Sequence, residues 1–187
     1  MFPLVADLAG RRVVVIGAGA VGAAKARQLV AGGGAVTVIS PEVTGDLPPG
    51  VELVAREYRA GDLAGAVLAV SATGRPEVDD EVVAEARSRN VLVNVVDDPG
   101  RSAFYFAAVH RDGEVIVAVS TEGASPALAR WVRDRVVAAL PPGLGEVARR
   151  LRAERRRRHD AGQSTEGLDW SARIDRELST TSCDEAP

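Results

Sequence analysis

The chain has 187 residues, 46% hydrophobic and 26% charged, with a net charge of −3. That balance fits a globular protein of one domain with an appendage or of two small domains, and it is too near neutral to point to nucleic acid. No apolar run approaches the roughly 20 residues of a membrane helix, and MFPLVADLAGRR lacks the basic and apolar regions of a secretory signal, so a cytoplasmic protein with no membrane partner is expected.

The single cysteine, Cys183, leaves no internal disulfide and no cysteine-built metal cage. With only His110 and His159 besides, a protein-supplied zinc site is not expected.

Residues 12–16, RVVVI, predict a short buried strand. GAGAVG follows, and AAKARQLVAGGG predicts a helix ending in glycines. AVTVIS (35–40) predicts a second strand closed by Pro41, VELVAREY (51–58) a third and AVLAVSAT (66–73) a fourth. EVDDEVVAEARSRN supplies a helix and VLVNVV the fifth strand. Strand and helix alternate from 12 to 96, which predicts a parallel sheet with helices on both faces. The expected fold is a Rossmann-like, doubly wound α/β domain over residues 1–100.

After Pro99 the pattern changes. AFYFAAVH and EVIVAVST flank Arg111-Asp112-Gly113, a strong hairpin signal. SPALARWVRDRVVAAL opens with Ser125 as N-cap and Pro126 in the first turn, and Leu128, Val132, Val136 and Leu140 form an apolar stripe. This unit, residues 101–141, is too small to bury a core alone, so a homodimer is expected. Pro141-Pro142-Gly143 breaks the chain and LGEVARRLRAERRRRHD resumes a helix. Residues 142–187 form a small C-terminal helical part. From Ala161 its tail is polar, with one weakly amphipathic patch, LDWSARIDREL, and a disordered end is expected.

GAGAVG places glycines at 17, 19 and 22 between a strand and a helix. In that setting Gly17 permits the tight turn, Gly19 lets a pyrophosphate reach the backbone and Gly22 allows close helix–sheet contact. Ser40 and Glu42 stand where an acid ordinarily meets the ribose, and no Arg or Lys lies between 35 and 50 to receive a 2′-phosphate. NAD is therefore favoured over NADP.

Ligands of a doubly wound sheet sit outside the carboxyl ends of its strands. Ser71 and Thr73 end the fourth strand there, and Asn94 to Asp98 end the fifth. Asp97 and Asp98 either accept a proton beside the cofactor or shape a turn before Pro99; residue types alone leave both readings open. The seven arginines of RRLRAERRRR are either a solvated helix face or an anion contact.

The segments PLVADLAGRRVVVIGAGAVGAAKARQL, TVISPE, VNVVDDP and VAVSTEGASPALARWVRD, in this order, resemble the precorrin-2 dehydrogenase/sirohydrochlorin ferrochelatase family, the N-terminal module of sirohaem synthase. The resemblance covers residues 3 to about 150. It implies an NAD-binding domain, a dimerisation region of hairpin and helix, and a helical part over a tetrapyrrole cleft. The implied reaction is NAD-dependent oxidation of precorrin-2 to sirohydrochlorin, with Fe2+ insertion to sirohaem in some members. The family's key aspartate transfers to Asp97, with Asp98 as the lesser candidate.

Cofactor contacts transfer to the glycine loop with Ala20 and Val21, and to Pro41 and Glu42. Asn94, Asp98, Ser125 and Arg130 are candidate substrate contacts, the last against an ordinary surface arginine. The substrate's eight carboxylates give the arginine-rich helix a binding role as its alternative to solvation. Little beyond residue 160 matches the family, and a fused methyltransferase domain is not expected within 187 residues. Two other readings remain: a non-catalytic NAD-binding redox sensor, and a dehydrogenase of another small acid.

Overall fold

The computed structural model describes residues 1–166 and 168–181. Gly167 and residues 182–187, with Cys183 and the chain end expected to be disordered, lie outside the described residues. Two compact units divide the chain, residues 1–105 and 106–187.

The first unit contains β1 (Arg12–Ala18), α1 (Ala20–Ala31), β2 (Ala35–Val43), β3 (Glu52–Val54), β4 (Leu68–Ser71), α2 (Pro76–Arg89) and β5 (Leu92–Val95). Its strands are all parallel, in the order β3-β2-β1-β4-β5. Val13, Val14 and Val15 are fully buried on the central strand, which explains their lack of polar alternation. Val82, Val83 and Ala86 of α2 join the core. Pro76, the acids Glu77 and Asp79 in the first turn, Arg87 and Arg89 in the last, and the left-handed Asn90 define that helix's two ends. The Rossmann-like expectation is borne out. The chain reverses direction across the sheet between β1 and β4, and such a switch point opens a crevice at the carboxyl ends.

The fourth strand is shorter than predicted, Leu68–Ser71, the first hairpin strand begins only at Ala108, and two further strands depart in ways that bear on the site. β2 continues through Pro41 to Val43. Ile16 pairs with Ile39 but Ala18 with Val43, so Gly17 alone faces Ser40, Pro41 and Glu42 in an irregular step. Proline is tolerated there because the bulge requires no ladder donor from it. β3 stops at Val54, because the residues after it are tied elsewhere. Arg56 donates twice to Asp62, at 2.6 and 2.8 Å, and Tyr58 donates to Glu85 of α2. Burial alone would push the Glu85 carboxyl up; hydrogen bonds from Tyr58, the Gly61 amide, Arg89 and the Leu63 amide hold it below its ordinary range.

The second unit contains β6 (Ala108–Asp112), β7 (Val115–Val119), α3 (Pro126–Ala138), α4 (Leu144–Asp160) and α5 (Trp170–Thr181). β6 and β7 form the antiparallel hairpin, closed between Asp112 and Val115. Asp112 also accepts from the Gly145 amide at 3.0 Å, fastening the start of α4 to the hairpin turn. α5 replaces the weakly amphipathic tail of the sequence reading: Asp169 accepts from the Ala172 amide at its start, and Arg150 of α4 donates to Glu177 at 3.1 Å. Among the described residues, no helix is long and apolar enough to cross a membrane.

Candidate functional site

The glycine loop joins β1 to α1, and its three glycines have different physical reasons. A Cβ on Gly22 would stand 2.0 Å from the Gly17 carbonyl oxygen. One on Gly17, whose φ is +96°, would stand 2.4 Å from the Ala72 oxygen. Both positions are closed by backbone. At Gly19 the nearest atom to such a Cβ is Thr44 Oγ1, at 3.9 Å, so the fold does not demand glycine there. Open backbone at Gly19, beside a helix start that no side chain caps and whose first turn carries no acid, is what a pyrophosphate requires. Ala20 and Val21 are exposed at that start. The residues fit a dinucleotide.

A cavity of about 460 Å³ opens beside this loop, lined by Gly17, by Ser40, Pro41 and Glu42 from the β2 bulge, and by Thr73 from the end of β4. Arg75 and the acids Glu57, Glu77 and Glu81 complete its polar wall. Arg75 is held by Glu57 at 3.0 Å and Glu77 at 2.9 Å. The Ser40 hydroxyl donates to the Glu42 carbonyl at 2.6 Å, which fixes the bulge. Gly17, Ser40, Pro41, Glu42 and Thr73, predicted at the ends of β1, β2 and β4, thus meet around one cleft, while Gly19, Ala20, Val21 and Gly22 continue from it into α1 and one predicted residue is turned to another task.

That residue is Ser71. It is 1% exposed, does not line the cleft, and donates its hydroxyl to Asp79 at 2.6 Å. Thr73 donates to the same carboxylate oxygen at 2.7 Å. Asp79 is a buried acid of α2 that the sequence reading missed, and its signal was present: it shares a helix face with Val82, Val83 and Ala86. It fixes the rim of the cleft by accepting both hydroxyls, and Arg101 stands 3.9 Å from it.

At the end of β5 the acids divide their roles. Asp98 begins the 3-10 turn Pro99–Arg101 by accepting from the Arg101 amide at 3.1 Å and its guanidinium at 2.7 Å. These bonds hold its carboxyl below the usual range. Arg101 also reaches Asp80 at 2.8 Å. Asn94 is buried and donates its amide to the Phe104 carbonyl at 2.9 Å, supporting the turn from beneath. Both predicted substrate contacts are therefore engaged in holding the loop.

Asp97 is different: exposed, in the left-handed conformation with φ 58°, and without a hydrogen bond among the described residues. Its charged neighbour is Lys25 of α1, the only lysine of the chain. Burial lowers the pKa of Lys25, and attraction to Asp97 opposes that shift. The sequence reading passed over Lys25. Its rarity beside many arginines, on the helix that follows the glycine loop, was the available sign. Asp97 is not among the lining residues of the cleft; it shares the sheet's carboxyl edge with it.

Ser125 and Arg130 lie in the second unit. Ser125 caps α3 by accepting from the Leu128 amide at 3.2 Å, and Arg130 is exposed.

Residues 4–108 match the family model described as NAD(P)-binding, and residues 113–139 match the one described as sirohaem biosynthesis protein central. The siroheme synthase of Pseudomonas putida F1 is 38% identical over 151 residues, 78% of this chain and 33% of that protein. That of Azotobacter vinelandii is 37% identical over 163 residues, 83% of this chain and 35% of that protein. The chain spans about a third of the length of these curated relatives. Among solved structures, SirC, a precorrin-2 dehydrogenase, aligns with a TM-score of 0.67 at 21% identity, over 96% of this chain and 88% of that one. That likeness is one of fold. The resemblance read from the glycine loop, VNVVDDP and SPALARWVRD is borne out by both family models.

Proposed function

Because this chain belongs to the NAD(P)-binding family whose model covers residues 4–108, we propose that it is an NAD-dependent oxidoreductase converting precorrin-2 to sirohydrochlorin in sirohaem synthesis. The observation that carries this reading is Asp97, an accessible carboxylate with no hydrogen bond among the described residues, on the carboxyl edge of the sheet that also bears the glycine loop. The match of residues 113–139 to a sirohaem-biosynthesis segment supports the choice of substrate.

The backbone of Gly17 to Gly22, including the amides of Ala20 and Val21, would hold the cofactor's pyrophosphate, and Ser40, Pro41 and Glu42 its ribose. When bound, the nicotinamide supplies the acceptor for the hydride that the reduced macrocycle gives up. Asp97 takes the accompanying proton, with Lys25 as its charged neighbour. Asp98, Arg101 and Asp80 hold the turn that presents Asp97. In a following step, once Asp97 has released that proton to solvent, it would accept the two pyrrole N–H protons displaced by Fe2+ one after the other, passing each to solvent.

The cleft selects NAD over NADP. Glu42, Glu57, Glu77 and Glu81 line it, and its arginine is already held by two of them. A 2′-phosphate would enter a negative field without a free cation to receive it. NAD+ is expected to bind at least about tenfold more tightly than NADP+, a difference of about 1.4 kcal/mol, in a calorimetric titration. Equal affinities would show that the acids do not face the ribose.

The protein acts as a homodimer through α3 and the hairpin. Of the predicted stripe Leu128 is 50% exposed and Val136 and Leu140 are exposed, with Val132 half-buried, and Trp131 beside them is 57% exposed, so among the described residues most of this face is uncovered. Light scattering should give twice the chain mass for the native protein and a single chain mass for Leu128→Glu. A monomeric native protein would remove this part of the reading.

The reaction itself is tested by incubating the purified protein with precorrin-2 and NAD+ without oxygen, with and without Fe2+. The sirohydrochlorin spectrum and NADH should appear together, and the sirohaem spectrum should follow only with iron. Cofactor binding with no tetrapyrrole turnover would favour the redox-sensor reading instead.

A further inference from the structure

No Arg or Lys lies between residues 35 and 50, yet a cation stands in the cleft that Ser40, Pro41 and Glu42 line. It is Arg75, which follows β4, and among the described residues no other cation lines that cleft. In the sheet β4 is separated from β3 by β1 and β2. Arg75 nevertheless reaches Glu57, three residues beyond the end of β3, at 3.0 Å through Nη1. The pair therefore crosses the carboxyl ends of β1 and β2, beside the Gly17 turn and the β2 bulge. The end of the second strand is where a dinucleotide of this fold places its adenosine ribose.

The two acids that hold Arg75 engage different parts of its guanidinium. Glu77, in the first turn of α2, accepts from Nε at 2.9 Å, a local bond that sets the direction of the side chain. Glu57 takes Nη1, and with it half of the edge through which a guanidinium binds a phosphate by paired bonds. Glu57 is itself fixed from both sides, since Arg56 donates to Asp62 and Tyr58 to Glu85. Arg75 and Glu57 are both more than half exposed, and ion pairs so exposed add little to stability. The consequence of this pair lies in what it blocks.

We infer that Glu57 is a specificity-determining residue: by engaging Arg75 it masks a built receptor for the 2′-phosphate of NADP+. The inference rests on the reading of this cleft as the ribose site of a dinucleotide; the macrocycle plays no part in it. A 2′-phosphate must displace Glu57 from Arg75 and then leave that carboxylate unpaired beside its own negative charge. The free ribose hydroxyl of NAD+ requires neither. Glu81 supplies the comparison, because it lines the same cleft with the same charge and accepts no hydrogen bond from Arg75.

The test is a calorimetric titration of the full chain with NAD+ and with NADP+. NADP+ affinity should rise at least about tenfold in Glu57→Ala. In Glu81→Ala the rise should stay below about threefold, because only a screened charge is lost. The gain should vanish in Glu57→Ala/Arg75→Gln, which has the net charge of the native chain. Glu57→Gln, which keeps an uncharged acceptor for Arg75, should give a smaller gain in the same direction. NAD+ affinity should remain within about threefold of native in Glu57→Ala, since the exposed pair contributes little else.

Equal gains in Glu57→Ala and Glu81→Ala, a gain that survives without Arg75, or no gain at all would overturn the inference. The outcomes also separate the two proposals. An Arg75-dependent gain without precorrin-2 turnover keeps the mask and rejects the enzyme. Normal turnover with NADP+ affinity indifferent to Glu57 keeps the enzyme and rejects the mask. Failure of every protein to bind either dinucleotide would overturn both.

Discussion

Asp97→Asn is expected to lower turnover of precorrin-2 by about a thousandfold, within the range that loss of a positioned proton acceptor produces. Cofactor affinity and unfolding temperature should be unchanged. The substitution is chosen for its backbone. Asp97 sits at φ 58°, a conformation that Asn adopts as readily as Asp and that alanine adopts with strain. It makes no hydrogen bond among the described residues, so replacing the carboxylate removes a base without loosening the loop.

Asp98→Asn should behave in the opposite way. It weakens the pairing with Arg101 that closes the turn, so stability should fall while turnover remains measurable. Steady-state NADH formation and thermal unfolding, recorded on both variants, distinguish the roles. Native turnover in Asp97→Asn would remove Asp97 from the chemistry.

Gly22→Ala is expected to cost the fold at least about 3 kcal/mol, the upper part of the range for a forced overpacking. The added Cβ would lie 2.0 Å from a backbone oxygen of Gly17, and no flexible side chain stands there to move aside. Gly19→Ala provides the contrast. With nothing nearer than 3.9 Å, it should change stability by less than about 1 kcal/mol, the scale of a helix N-cap effect. It should still weaken NAD+ binding about tenfold or more, because a methyl group then occupies the pyrophosphate's approach. Urea denaturation and nucleotide titration of both variants check this division. Undiminished NAD+ affinity in Gly19→Ala would mean that the loop does not hold the pyrophosphate.

Much of the architecture was legible from local pattern. The valine run of β1, the glycines around α1, and Ser125-Pro126 before α3 each carry their structural reason within a few residues, and the chain folds accordingly. Failures occurred where the deciding contact comes from elsewhere. β3 ends early because Tyr58 reaches Glu85 on α2, and no window around VELVAREY contains that partner. α5 is stabilised by Arg150 reaching Glu177, a pairing that requires α4 to be in place first.

The site shows the same division. Gly17, Gly19 and Gly22 could be assigned from spacing. The attraction between Lys25 and Asp97 could not, since only the sheet order brings the first helix near the fifth strand. Asp79 was an intermediate case. Its place on the apolar face of α2 was readable, but its two hydroxyl donors, Ser71 and Thr73, were instead assigned to the cofactor.

Hydrogen transfer from the macrocycle to the nicotinamide, beside the proton acceptor at the end of β5, is what the rest depends on. Precorrin-2 labelled with deuterium at its reduced positions, incubated with the native protein and NAD+ in the absence of oxygen, tests it directly by mass spectrometry of the cofactor. Deuterated NADH should form in step with sirohydrochlorin, and both about a thousandfold more slowly with Asp97→Asn. Sirohydrochlorin formed while the cofactor stays oxidised and unlabelled would contradict it.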